Sequence, residues 1–346
     1  AGFMPLDTVQ ALHPGDKVFT LYKNKAAALF VIGKKSLKSG MRLLCAHTDA
    51  PRLDIRPCPL YEKDGLGMIR THYYGGIKKY QWATIPLAIH GIIVKKGGER
   101  ITVSIGENEN EPVLYISDLP KHLSAEQAKK PMEDGINGEN LNLVAASLTA
   151  EEEQAGLSLQ QLLLLDKEEV GNQGATGMKS HLLENLTARL LRLLNEDEPL
   201  AREEALEHSQ MLSADVVLAM DPNYSQCFAP GNTAHLGHGP AIVKYAGHFG
   251  KKDANDANAE FLALLRDVFD EAGIRWQTGE YGIMDLGGGG TMAPLPAQYG
   301  METADCGIPL LSMHAPYELA SKADVYEASR AYAAFLASDK DIEQYQ

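Results

Sequence analysis

Cysteine, positive charge and long hydrophobic runs are all scarce in this chain, and each shortage closes off a class of protein. Its 346 residues include four cysteines, Cys45, Cys58, Cys227 and Cys306, which lie far apart with no CxxC pair. That spacing builds neither a disulfide framework nor a thiolate zinc site, and it suits a reducing cytoplasm, the expected location. No secretory signal opens the chain. The longest apolar stretches, such as residues 26–32 and 162–165, are far too short to span a bilayer, so no membrane association is expected. Lys and Arg total 32 against 46 Asp and Glu, a formal net charge of -14. Without a concentrated basic stripe the chain is not expected to bind nucleic acid. No Gly-x-Ser-x-Gly elbow occurs and the cysteines have no evident base partner, which disfavours serine or cysteine nucleophiles. The run Gly287-Gly-Gly-Gly-Thr291 lacks the spacing and lysine of a phosphate loop.

What remains is an ordinary globular composition, 45% hydrophobic and 23% charged, long enough for two domains or one domain with an insertion. Residues 17–22 and 26–32 flank a short turn and predict a hairpin. Residues 41–46 form an apolar run that stops at His47-Thr-Asp-Ala-Pro51. From about residue 58 to 140 the texture is β-rich, with runs at 88–94 and 101–105 between Gly-, Pro- and Asn-containing turns. That stretch reads as a module inserted into something else. Residues 159–165 predict a buried strand, and 176–194 a helix. The spacing of Phe261, Leu264, Leu265, Val268 and Phe269 predicts a helix over 254–272, ended by Gly273. Residues 308–313 form another apolar run stopping at His314. Ser321 starts a last helix expected to bury Val325, Ala328, Tyr332 and Phe335. Strands alternating with helices imply an α/β fold, a mixed central sheet covered by helices on both faces.

Four polar clusters sit where these strands end: His47 with Asp49, Glu168 with Glu169, Asp215, and His314. In open α/β sheets the carboxyl ends of strands converge on the functional crevice. Two imidazoles and several carboxylates form a nitrogen-and-oxygen donor set suited to zinc, cobalt or manganese. Adjacent residues at an irregular strand end point in different directions, so one of Glu168 and Glu169 can bind metal while the other takes a proton from an activated water. Taken singly, each cluster has a plainer reading: a loop hydrogen bond at His47, a solvated charge run at Glu168-Glu169, a cap at Asp215, a half-buried histidine at His314. Their shared position at strand ends favours the metal site.

The motifs Ala46-His-Thr-Asp-Ala-Pro51, Thr71-His-Tyr-Tyr-Gly-Gly-Ile77, Asp166-Lys-Glu-Glu-Val-Gly171, Ser213-Ala-Asp215 with Asp221-Pro-Asn223, Gly287-Gly-Gly-Gly-Thr291 and Ser312-Met-His-Ala-Pro316 occur in this order. Together they resemble the aspartyl aminopeptidase (aminopeptidase I) family of dinuclear zinc exopeptidases, in its bacterial branch. The resemblance implies a metal-dependent aminopeptidase acting on short peptides with a free N-terminus. His47 and Asp215 would hold one metal, and Glu169 and His314 the other. Glu168 would be the general base, and Asp49 would orient the His47 ring. It also implies a discontinuous catalytic domain, residues 1–60 and 151–346, interrupted by a β-rich dimerisation domain at 61–150. Dimers would assemble into a tetrahedral dodecamer.

Two departures accompany the resemblance. The family's bridging aspartate belongs between the insert and the Glu-Glu strand, yet residues 140–158 contain none. Either residues are left out at a join near Glu153 to Ala155, or the two-metal centre lacks its shared carboxylate. In the second case the chain would be a catalytically impaired homologue serving as a binding or assembly protein. The other departure is Asp118, which stands where the eukaryotic aspartyl enzymes carry a histidine reaching a neighbouring site. A neutral or basic first residue is therefore expected in the substrate.

Overall fold

The structure, a computed structural model, describes residues 2–63, 66–95, 97–145, 163–247, 251, 252 and 254–345. The chain divides into two compact units. One comprises Ala1–Asp49, Leu159–Met313 and Glu318–Gln346; the other comprises Ala50–Ser158 and His314–Tyr317.

The first unit is built on a mixed sheet of 11 strands among the described residues. Its main strands are β1 (Lys17–Tyr22), β2 (Ala26–Val31), β3 (Arg42–His47), β4 (Leu163–Leu165), β5 (Gln210–Ser213), β6 (Val216–Leu218), β7 (Ala241–Val243), β8 (Gln277–Thr278) and β9 (Glu302–Leu311). β1 and β2 form the expected antiparallel hairpin. Its turn has Lys23 and Asn24 at φ 55 and 56, the left-handed pair that matches strand twist in a tight hairpin. At the centre β4, β3, β5 and β9 lie side by side and parallel. All four therefore end at one edge. Central parallel strands are covered on both faces, which is why they read as continuous apolar runs; every residue of β5 is buried.

Among the described residues five α-helices cover the two faces: α1 (Leu182–Leu194), α2 (Ala201–Glu207), α3 (Ala259–Glu271), α4 (Pro294–Ala297) and α5 (Lys322–Ala337). Leu182, Leu186 and Leu206 pack with Cys45, Leu165 and Met211 on one face. Phe261, Leu264, Phe269 and Phe335 pack with Leu212 and Ala304 on the other. The apolar stripe of α3 is buried at all five predicted positions. Helix α1 starts later than the pattern suggested. Residues 176–181 are turns, because Thr176 donates to Asp166 and Gly177 packs so tightly on the Asn172 carbonyl that a Cβ would stand 2.4 Å from its oxygen. On α5 the buried set is Asp324, Ala328, Ala331 and Phe335, and the predicted core residue Val325 is 47% exposed. Asp324 holds that place because its carboxylate accepts the Gly237 and Gly239 N–H groups at 2.7 Å each.

The second unit contains a five-stranded sheet ordered Arg52–Lys63, Leu66–Tyr74, Leu143–Ala145, Leu114–Tyr115 and Pro86–Leu87, and a separate hairpin of Ile89–Val94 with Arg100–Ile105. Ile116, Leu141 and Leu143 centre its core. The second unit begins at Ala50, and both Arg52–Ile55 and Leu60–Lys63 pair with Leu66–Tyr74, with a register shift between Ile55 and Leu60. The expected strand residues 159–162, and most of the interval lacking an aspartate, lie outside the described residues.

Candidate metal centre

Strand β3 carries His47 at its last position, paired in register with Leu165 at the end of β4. The polypeptide then turns, and Asp49 folds back toward both strand ends. Its side chain is fully buried. One carboxylate oxygen accepts the Glu168 N–H at 3.1 Å and the other accepts the Glu169 N–H at 3.2 Å. Glu168–Val170 is a short 3-10 turn whose entry residue, Lys167, has φ 99. A left-handed conformation at a lysine is costly and needs surrounding structure to hold it. The two hydrogen bonds to Asp49 supply part of that hold, fixing the Glu-Glu turn to the end of β3.

His47 is oriented by the same loop. Its Nδ1 lies 2.8 Å from the Asp49 backbone carbonyl and 3.4 Å from the Asp49 carboxylate. The backbone carbonyl thus makes the closer contact, and the carboxylate is chiefly occupied by the Glu168 and Glu169 amides. With Nδ1 directed there, Nε2 is the nitrogen that faces Asp215, 3.5 Å from its Oδ1. Asp215 lies just beyond β5, where the chain shifts from pairing with β3 to running as β6 beside β9. The Asp215 carbonyl accepts the Ile308 N–H at 3.2 Å, and a Cβ on Gly307 would stand 2.9 Å from it. Only glycine fits there, so β9 fixes the backbone that presents Asp215.

These groups perturb one another strongly. Burial disfavours charge on His47, but the carboxylates of Asp215, Asp49 and Glu168 outweigh it and hold the ring at about 11. Burial and the charge on Asp215 push Glu168 up to about 7, against the pull of His47. Carboxylates crowded around one imidazole in a half-buried recess suit a cation. His47 and Asp215 fit zinc in kind, as a nitrogen and an oxygen donor side by side with the imidazole already oriented. Among the described residues no three His, Cys, Asp or Glu side chains gather as a complete metal-holding group.

The remaining candidate, His314, groups with the second unit. Its backbone is left-handed at φ 66, as is that of Ser312 at φ 61, and its Nδ1 lies 3.7 Å from where a Cβ on Gly76 would stand. The structure thus brings His47, Asp49, Glu168, Glu169 and Asp215 together in the first unit. The Thr71–Ile77 motif and His314 fall in the second.

Three residues near this edge escaped the sequence reading. Asp305 is buried in β9, register-paired with Ser213, and accepts from Thr291 at 3.1 Å. Burial pushes its carboxyl up to about 7, with the Ser213 hydroxyl opposing and Asp215 adding to the shift. A lone acid inside an apolar run was the available signal. Tyr281 donates to the Val216 carbonyl at 2.7 Å, anchoring the residue after Asp215. Asp166 is buried beside Thr176. Tyr281 had no distinguishing pattern, whereas Asp166 opens the Asp166-Lys-Glu-Glu-Val-Gly171 motif without being singled out in it.

Comparison with known proteins gives a consistent picture. The family model described as aminopeptidase I zinc metalloprotease (M18) matches residues 1–163 and 144–336, two stretches that overlap at 144–163. A probable M18 family aminopeptidase 1 of Clostridium acetobutylicum is 40% identical over 396 residues, covering 94% of this chain and 85% of the relative. That aligned length exceeds the 346 residues here, so the relative contains residues without a counterpart. The crystal structure of an M18 aminopeptidase from Thermotoga maritima superposes with a TM-score of 0.88 at 32% identity, covering 97% of this chain and 89% of that one. The S. cerevisiae mApe1 dodecamer, 19% identical with a TM-score of 0.67, covers 93% of this chain and 85% of its own and shares the fold. By motif order, fold and similarity alike, the chain belongs to the aminopeptidase I zinc metalloprotease family, M18.

Proposed function

We propose that within this zinc aminopeptidase family the chain removes single residues from the amino termini of short peptides. His47 and Asp215 act as donors to one zinc, Glu169 and His314 as donors to a second, and Glu168 as the general base. The observation that carries the reading is the Asp49 clamp, which ties the Glu168–Glu169 turn to the strand end presenting His47 beside Asp215. Held by these residues, zinc would supply Lewis acidity, lowering the pKa of water and polarising a carbonyl. Glu168 removes the proton from the attacking water and passes it to the departing amine as the peptide bond breaks. Its partial burial keeps bulk water from competing for that proton. Asp49 touches no reacting atom in this scheme; it positions His47 and both glutamates.

The second unit would serve as the dimerisation domain, with dimers joined into a tetrahedral dodecamer. Support comes from its exposed apolar residues, among them Leu60 at 75% and Leu123 at 70%, and from the dodecamer formed by a protein of the same fold. Among the described residues no helix is long and apolar enough to cross a membrane. All four cysteines are free, which fits a cytoplasmic location. The alternative of a non-catalytic binding protein is not favoured by kinship to proteins named as aminopeptidases. Asp118, at the surface, supports preference for a neutral or basic first residue.

The test is an assay of purified protein with an aminoacyl chromophore. Release should require zinc, cobalt or manganese, stop on chelation, and be absent for the N-acetylated compound. No release under any of the three metals would remove the assignment.

A further inference from the structure

The amino edge of the same strands, opposite the metal centre, opens into a cavity of ≈ 1390 Å³. Its walls include Leu44 from β3, Leu190 from α1, and residues 336–343 at and beyond the end of α5. Three lining residues begin adjacent strands: Arg42 on β3, Gln210 on β5 and Glu302 on β9. They are register partners, Arg42 with Gln210 and Gln210 with Glu302. Side chains two apart share a face, and Leu44, Leu212 and Ala304 pack together in the core of α3 and α5. Arg42, Gln210 and Glu302 therefore form a polar row across that same face.

None of the three is neutralised within the row. The Arg42 guanidinium stacks over Phe335 at 5.1 Å and donates to the Phe335 and Lys340 carbonyls, leaving the rest of its five N–H donors. Burial lowers its pKa, while Asp341 and Asp339 oppose that through space. Glu302 accepts two hydrogen bonds from the Asn258 amide, at 3.0 and 3.1 Å. Gln210 is 7% exposed, and among the described residues its Oε1 is buried with no hydrogen-bond partner. A buried amide oxygen left unpaired is costly, and it asks for a donor.

The geometry points to a second peptide-binding site in this cavity, one that holds a short peptide with both termini free. Strands lie ~4.8 Å apart, so the two outer members of the row are separated by roughly 10 Å at the backbone. An extended tripeptide spans about that distance at ~3.4 Å per residue. Its carboxylate meets Arg42, its ammonium meets Glu302, and the Gln210 side-chain amide, whose buried Oε1 is turned away from the cavity, rotates to accept an internal amide N–H. The site is independent of the proposed chemistry at the opposite edge, and it stands or falls separately.

Isothermal titration of trialanine into the full-length His47→Ala protein tests it, because this background prevents hydrolysis. About one trialanine per chain should bind. N-acetyl-trialanine and trialanine amide should bind at least tenfold more weakly, and free alanine should not compete. Glu302→Gln, which keeps the Asn258 contact, and Gln210→Leu should each weaken trialanine binding at least tenfold with unchanged near-ultraviolet circular dichroism. Undetectable binding, equal binding of the capped peptides, or affinity unmoved by Glu302→Gln would each overturn the proposal. The last result would place the peptide elsewhere on the molecule, the catalytic edge included.

Discussion

The two edges of one parallel sheet use polar side chains in opposite ways. At the carboxyl edge every candidate residue is engaged by another: Asp49 holds the amides of Glu168 and Glu169, its carbonyl holds His47, and His47 faces Asp215. At the amino edge Arg42, Gln210 and Glu302 stand in register without pairing, and one of their acceptors is buried and unmet. The contrast teaches that residue type alone does not define a site. An interlocked cluster of like charges gains from a cation at its centre, whereas an extended row of unlike groups gains from a ligand long enough to meet each member.

The sharpest way to break the comparison is at the carboxyl edge. Glu168→Gln should lower kcat by about 10³-fold, in the range for loss of a general base, with folding and zinc content nearly unchanged. Full turnover in that variant would take Glu168 out of the role. A smaller effect is expected one step back. Asp49→Ala removes the acceptor for two backbone amides and should cost about 10–100-fold in activity or zinc affinity. Wild-type kinetics there would mean that the turn holds itself.

Between the two edges lies Asp305, and its effect should appear in stability. Burial pushes its carboxyl up to about 7, from an ordinary value of 3.8. The folded state therefore favours the protonated form. Its contribution to stability is full below about pH 4 and is lost as pH rises through about 7. Melting temperature should fall between about pH 4 and 7 in the wild type, and less steeply in Asp305→Asn. Parallel profiles would show that Asp305 does not titrate in this range. The smallest effect belongs far from both edges: Val325→Ser should change stability by no more than ~0.5 kcal/mol, as for an exposed position, when measured by urea unfolding. A loss of several times that size would return Val325 to the core.

Much of this organisation could be read from residues alone, for physical reasons that also mark where the reading fails. Central parallel strands are covered on both faces, so their apolar runs and abrupt polar ends locate His47, the Glu168–Glu169 pair and Asp215 at one edge. The α3 stripe follows from helical spacing because that helix packs only one side. Val325 failed because its rival Asp324 is buried by backbone amides, an arrangement that hydrophobic periodicity cannot register. The start of α1 failed for a similar reason, since Gly177 packs back on Asn172 and Thr176 bonds Asp166, contacts that helical composition does not register. Register brings Arg42, Gln210 and Glu302 into one row, and it depends on pairing between strands about 90 to 170 residues apart. No local pattern carries it.

Zinc X-ray absorption on the metal-loaded protein tests the central claim most directly. The account predicts a first shell of nitrogen and oxygen only, with imidazole scattering reduced in His47→Ala and zinc retention reduced in Asp215→Asn. A sulfur-containing shell, or a spectrum unchanged by both substitutions, would contradict it.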